Sequence, residues 1–273
     1  MIDRICISIN NRCNLHCSYC HFREKGGVAL GNMDVFKVLD NVKVYAKHAF
    51  KIGFVGNGEP MLDIERLMEY MAYIQDCENI YSYTITNGTV ALTDEVIEFF
   101  DSPRINLGVS LDGPKYLHNR YRNDSFDAVM ENIMRFKRVT GYYPTFNATV
   151  GDETLNHSSD VIEFFRQFGT RITFSRMIGK RGIAFEDYQE FIKEAKKYLN
   201  VREGGIDCTM YGGLCGAGIN NYFFANGYVY YCGNCVDMPA ITTSDISFFE
   251  LEKNTMEFDR TRCWKENFSE GLV

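Results

Sequence analysis

Short apolar runs alternate with longer amphipathic stretches up to about residue 200, and this alternation constrains the fold more than any other feature. Ile5 to Ile9, Lys51 to Gly56, Tyr81 to Thr86, Ile105 to Leu111, Thr145 to Val150 and Arg171 to Ser175 each read as a strand. Between them, Val35, Leu39, Val42 and Ala46 recur at helical spacing behind an Asn32 cap. Thr93, Asp94 and Glu95 open a further helix with the negative charge its dipole favours. Repeated βα units imply a parallel sheet covered by helices. Six such units fit before residue 200, whereas a full eight-unit barrel takes about 250 residues. The expectation is an α/β fold: a partial (β/α)6 barrel over 1–200, a linker at Val201 to Ile206, and a small cysteine-rich domain of β-hairpin and helix over 201–273.

In a barrel of parallel strands the functional groups gather at the strand C-termini. The loop after the first strand carries Cys13, Cys17 and Cys20 at C-x3-C-x2-C spacing. Three soft thiolates can hold three irons of a four-iron cluster and leave the fourth iron open to a ligand, whereas a structural zinc wants four protein ligands. A zinc knuckle or part of a disulfide framework is the plainer reading of such a triplet.

Composition removes several other classes. Ten cysteines in 273 residues, with no signal-peptide pattern at the start, read as reduced thiols of a cytoplasmic protein. No apolar run approaches the roughly 20 residues that span a bilayer. A net charge of −7 without a basic stripe argues against nucleic acid as the partner.

The cysteine spacing, with Tyr19 directly before the last thiol, resembles the radical S-adenosylmethionine (SAM) superfamily. Gly56, Asn57, Gly58, Glu59 and Pro60 resemble its Gly-Gly-Glu-Pro motif, with Asn57 where a glycine is usual. Thr86-Asn-Gly88 ends the third strand. Ser110-Leu-Asp-Gly-Pro114 followed by His118, Asn119 and Arg122 resembles a segment of the members that modify peptides and proteins, with Asn119 in place of an Asp. The resemblance implies a fold of the radical SAM type. It also implies a SAM-binding [4Fe-4S] cluster on Cys13, Cys17 and Cys20, whose electron cleaves SAM to a 5′-deoxyadenosyl radical. The segment Gly56 to Pro60 then meets the SAM amine, Ser110 and Arg122 meet its ribose or carboxylate, Tyr19 flanks the adenine and Asn147 touches SAM from the fifth strand. Each of these turn sequences taken alone is ordinary turn chemistry.

A second cysteine group follows: Cys208, Cys215, Cys232, Cys235 and Cys263. Asn226-Gly227 reads as a hairpin turn between strands of alternating aromatics. The pattern Cys215, then Gly227 to Cys232, resembles the superfamily's auxiliary-cluster (SPASM/twitch-type) domain in its short form, with one further [4Fe-4S] cluster. Cys215 and Cys232 fit that pattern best, and Cys208, Cys235 and Cys263 compete for the remaining positions. A zinc site is the alternative, because Cys232-x2-Cys235 is zinc-like. Cys6 and Cys77 read as buried apolar fillers.

The expected activity is reductive cleavage of SAM and hydrogen abstraction from a peptide or protein, installing an oxidative modification or crosslink. It would draw on an external electron donor and a separate leader-binding protein. Gly233 stands where anaerobic sulfatase-maturating enzymes place a basic Asp, which argues against that assignment. Two alternatives are a radical SAM dehydrogenase of a small alcohol or aminocyclitol, and a metal-bound binding module without catalysis.

Overall fold

Strand β5 (Thr145–Val150) shows how the sheet is built: Phe146, Ala148 and Val150 are buried, while Thr145, Asn147 and Thr149 alternate with them and are only partly covered. The apolar set packs under helices and the polar set lines the barrel interior, as the two-residue side-chain period requires. The computed structural model describes residues 1–20, 34–178, 181–202, 216–254, 257, 259 and 263.

The six expected strands are present as β1 (Arg4–Ile7), β2 (Phe50–Phe54), β3 (Ile80–Thr86), β4 (Ile105–Ser110), β5 and β6 (Ile172–Arg176). Between them run α1 (Val35–Tyr45), α2 (Ile64–Tyr73), α3 (Asp94–Phe100), α4 (Lys115–Tyr121), α5 (Phe126–Thr140), α6 (Asp152–Asn156) and α7 (Ser158–Arg166), with α8 (Phe185–Ala195) after β6. These six strands lie in sequence order, all parallel and in an open sheet, so the fold is the expected partial (β/α)6 barrel. Thr93 caps α3 as expected, its hydroxyl accepting from the Val96 amide at 3.3 Å. The cap of α1 is Asp34, whose carboxylate accepts from the Lys37 amide at 3.1 Å. The expected Asn32 cap lies outside the described residues.

A hairpin of β7 (Asn221–Ala225) and β8 (Tyr228–Tyr230), with the short β9 (Thr242–Thr243), extends the sheet. Its Asn226-Gly227 turn has φ of 56° and 84°, the left-handed pair that such two-residue turns need. The sheet order is β6-β5-β4-β3-β2-β1-β7-β8-β9, with β7 parallel to β1. Helix α9 (Phe248–Leu251) fixes this unit: Phe248 meets the rings of Tyr45, Phe50 and Phe224 at 5.6, 6.0 and 5.8 Å. The C-terminal unit therefore shares the barrel's hydrophobic core. Each fully buried phenylalanine of this kind contributes roughly 1.5–3 kcal/mol. Asn200 accepts from the Ile172 amide at 3.0 Å and the Arg202 amide donates to the Ile172 carbonyl at 2.9 Å, so the chain runs along the outer edge of β6, and the rest of the expected linker lies outside the described residues.

Candidate functional site

The loop after β1 is seated on the C-terminal ends of the neighbouring strands, residue by residue. Asn10 accepts from the Arg12 amide at 3.1 Å and donates to the Glu59 carbonyl at 3.0 Å. The Glu59 amide donates to the Arg12 carbonyl at 2.7 Å, and Arg12 pairs with Asp63. Gly58 is required by this approach, since a Cβ there would lie 1.9 Å from the Asn10 amide oxygen and 2.5 Å from the Arg12 carbonyl.

Further along the loop, Asn87 at the end of β3 donates to Asn14 at 2.8 Å and reaches the Cys13 sulfur at 3.9 Å. The His16 amide donates to Asn123 at 2.6 Å and the Ser18 amide to the Tyr121 carbonyl at 2.9 Å, so the turn after α4 holds the loop's second half. Cys13 is exposed, Cys17 and Cys20 are half-buried, and none of the three is in a disulfide. Burial pushes the Cys13 and Cys17 thiols up; a backbone bond from Leu15 opposes this at Cys13, and the Arg122 cation opposes it at Cys17. Among the described residues no three His, Cys, Asp or Glu side chains converge as they would around a single ion. Three unbridged thiols carried by one short loop, pinned from several strand ends, suit a cluster whose irons each take a separate thiolate.

Glu59 is the buried tie of the site, 2% exposed. Its Oε1 accepts from the Thr86 hydroxyl at 2.6 Å and the Met61 amide at 3.0 Å, and its Oε2 from the Asn87 amide at 2.6 Å. Burial pushes the carboxyl above its ordinary range, while those three donors pull it back. One acceptor position, on Oε2, stays open to a further donor. Asn57, in place of the usual glycine, donates through its amide to Asn11, which in turn donates to Asn226 of the C-terminal hairpin, at 3.2 and 3.1 Å.

Asp112 stands in the Ser110-Leu-Asp-Gly-Pro114 motif with no role assigned to it, because Asp-Gly-Pro reads as a turn. It is fully buried and accepts from four donors: Tyr19 Oη at 2.7 Å, Arg122 Nε at 2.7 Å, Arg122 Nη2 at 3.4 Å and the Thr149 amide at 2.9 Å. Burial, the largest single influence, would raise its carboxyl, but the charge and hydrogen bonds of Arg122 together with the Thr149 amide hold it below the usual range. Arg122 and Tyr19, both expected at SAM, are thus bonded to a protein carboxylate. Ser110 and Asn147 sit side by side in the β4–β5 register near the barrel mouth. Asn119 accepts from the Phe126 amide at 3.0 Å and so caps α5, a structural part for the departure noted there.

His118 completes this cluster. It is fully buried beside Phe126, accepts from the Asp112 amide through Nδ1 at 3.3 Å and approaches Ser125 Oγ through Nε2 at 3.0 Å. Accepting at Nδ1 fixes the proton on Nε2 and the ring as neutral. Burial lowers its pKa to about 4, the Asp112 charge only partly opposing this. An unfolded histidine titrates near 6.5. The folded chain therefore resists a proton that the unfolded chain accepts, and stability falls as pH drops from about 6.5 toward 4, by up to about 3 kcal/mol. Denaturant melts of the wild type and His118→Gln across that range should differ by this slope, and parallel curves would refute it.

Cys17, Tyr19, Cys20, Gly56, Arg122, Thr149, Ser175, Arg176 and Asn234 line one cavity of about 290 Å³, together with Met177 and Ile178. Asn234 comes from the C-terminal unit, in the turn Gly233–Cys235. The Cys232 sulfur accepts from the Asn234 amide at 3.4 Å; Cys235 is buried against Ala217 beside Cys232, and Cys263 is buried as well. Cys208 and Cys215 lie outside the described residues. Cys6, read as a buried filler, is only half-buried and faces the barrel interior, its sulfur 3.3 Å from the Tyr83 hydroxyl. Cys77 is likewise half-buried, in the turn after α2. No described helix is long and apolar enough to cross a membrane.

A cysteine-type anaerobic sulfatase-maturating enzyme of Clostridium novyi is 25% identical over 175 residues, 58% of this chain and 46% of that protein. A serine-type anaerobic sulfatase-maturating enzyme of Bacteroides thetaiotaomicron is 27% identical over 191 residues, 64% of this chain and 46% of that protein. The chain spans about half the length of these curated relatives. Among solved structures, native anSMEcpe with bound AdoMet has a TM-score of 0.73 at 22% identity, covering 92% of this chain and 80% of that one. Streptococcus suis SuiB bound to precursor peptide SuiA has a TM-score of 0.74 at 15% identity, covering 92% and 64%. These two likenesses concern the fold. The model of the Radical SAM superfamily matches residues 7–165, a stretch that runs from the end of β1 into α7 and holds the three-thiol loop and the strand ends that seat it; the chain belongs to the radical SAM superfamily of enzymes.

Proposed function

We propose that this enzyme cleaves SAM reductively and takes a hydrogen atom from a residue of a peptide or protein, leaving an oxidised or crosslinked side chain. The observation that carries the reading is the seating of Cys13, Cys17 and Cys20 against Glu59, Asn87 and Arg122 at one mouth of the barrel. When bound, a [4Fe-4S] cluster supplies the electron that breaks the SAM sulfonium. Cys13, Cys17 and Cys20 hold three of its irons. Gly56, Asn57, Gly58 and Pro60 shape the loop that receives the SAM amine, and Glu59 offers its remaining acceptor position there. Ser110 and Asn147 supply a hydroxyl and an amide to the nucleoside or carboxylate, Arg122 presents its unbonded N–H groups, and Tyr19 closes the wall near the adenine.

Peptide substrates are favoured by the relatives, which are sulfatase-maturating enzymes, and by SuiB, which was solved bound to the precursor peptide SuiA. Asn234 lines the cavity wall, which supports a role for the C-terminal cysteine turn next to the substrate. Cys215 and Cys232, with Cys208, Cys235 and Cys263 competing for the remaining positions, are therefore read as supplying an auxiliary [4Fe-4S] cluster within a unit that begins near residue 201. A leader-binding protein and an external electron donor complete the reading.

Anaerobically reconstituted protein should hold about eight irons per chain, as two four-iron centres require. With SAM and a reductant it should release 5′-deoxyadenosine. Absence of SAM cleavage in iron-loaded protein would remove the proposal, and turnover of a free small alcohol in place of a peptide would redirect it.

A further inference from the structure

The one ion pair in the described structure whose two side chains are both almost wholly buried stands at the cavity wall: Arg122 is 9% and Asp112 0% exposed by side chain. Four donors meet the Asp112 carboxylate. A carboxylate has about four lone-pair sites, so Asp112 is saturated and has nothing left to offer SAM or a substrate. Whatever it does at the site, it does through Arg122 and Tyr19.

Arg122 shares the cavity wall with Cys17 and Cys20, and its guanidinium lies 5.4 Å from the centre of the Tyr19 ring. Tyr19 is covalently next to Cys20 and is held to Asp112 by its hydroxyl. Charges so placed are shielded by protein and not by water, so they act on neighbouring groups far more strongly than surface charges do. Of the other charged or titratable side chains here, His118 is neutral, the Glu59 carboxylate acts on Cys13 from the far side of the loop, and Arg176 lines the same cavity; the substitutions below leave all three in place.

Resting on the cluster reading above, we infer that Asp112 is a positioning residue that cancels the Arg122 cation at the cysteine loop. It keeps the guanidinium available for hydrogen bonding at the cavity wall without letting a net positive charge raise the reduction potential of the centre held there. One-electron reduction adds a negative charge to the centre, and an uncancelled cation in its dry wall stabilises that charge. A centre that must reduce a sulfonium needs the opposite. Net charge around a cluster is among the factors that set its potential.

The test is an anaerobic redox titration of the full-length, cluster-loaded protein, followed by electron paramagnetic resonance on the signal that SAM addition alters. Asp112→Asn keeps the shape and loses the charge, while Arg122 stays protonated. Its midpoint should rise by at least about 59 mV, a tenfold change in the one-electron equilibrium. The double variant Asp112→Asn/Arg122→Gln removes both charges and should return to within about threefold of wild type, or about 30 mV.

A purely structural role for Asp112 predicts that the double variant departs from wild type at least as far as the single one. That result, or an unmoved or lowered midpoint in Asp112→Asn, overturns the inference. If Asp112→Asn fails to hold the cluster, the double variant decides, since it buries no uncompensated charge: a midpoint outside the threefold window overturns the inference and one inside it supports it. Wild-type protein with no iron-sulfur signal would refute the cluster reading itself, whereas a wild-type signal with an unmoved Asp112→Asn refutes only the cancellation.

Discussion

Cys17→Ala is expected to bring 5′-deoxyadenosine formation to background and to cost the protein about four irons per chain, those of one four-iron centre. Of the three thiols, Cys17 is the one whose removal separates chemistry from folding most cleanly. It is half-buried at the cavity wall, and around it lie the charges of Arg122 and Asp112 and the thiols of Cys13 and Cys20. The loop's seating bonds run instead through Arg12, Asn14, His16, Ser18 and Tyr19. Losing one partly exposed sulfur therefore costs the fold about 1 kcal/mol or less. Two thiolates cannot anchor three irons. Iron and sulfide analysis, a SAM-cleavage assay and a thermal melt on the same preparation test the claim, which fails if cleavage survives.

The second large effect belongs to Glu59→Ala, and it is one of stability. The substitution strands the Thr86 hydroxyl and the Asn87 amide, both bonded at 2.6 Å in a buried setting, together with the Met61 amide at 3.0 Å. An unsatisfied buried donor costs about 1–3 kcal/mol, so three of them make a loss of at least about 4 kcal/mol the expectation. Glu59→Gln should fall between: its carbonyl oxygen can serve Thr86 and Met61, but its NH2 then confronts the Asn87 N–H. Urea unfolding of the three proteins in one metal state gives the ordering, and equal stabilities would show that Glu59 does not tie β2 to β3.

The barrel was legible because its signals are local. Each strand is a run of alternating or continuous apolar residues, and Thr93 caps its helix with its own side chain. The Asn226-Gly227 turn was legible for the same reason, since the left-handed pair of dihedrals demands those residue types. What escaped was non-local. Nothing in Asn221 to Ala225 announces that it pairs with β1, more than two hundred residues earlier, as a parallel neighbour. Asp112 was hidden by its neighbours Gly113 and Pro114, and only the fold brings Tyr19, Arg122 and Thr149 to it. The thiol triplet stood out by spacing alone, whereas the groups that hold it in place, Asn87 and Asn123 above all, look in sequence like ordinary turn residues.

Because β7 lies against β1, a fragment ended after Arg202 would turn an interior strand into a raw margin. The amide and carbonyl groups of Arg4, Cys6 and Ser8, which now face β7, would meet solvent, flanked by the greasy faces of Ile5 and Ile7, and would be ready to zip onto another copy. Grafting or deleting this terminal piece as a cassette should accordingly yield inclusion bodies unless a replacement strand is supplied.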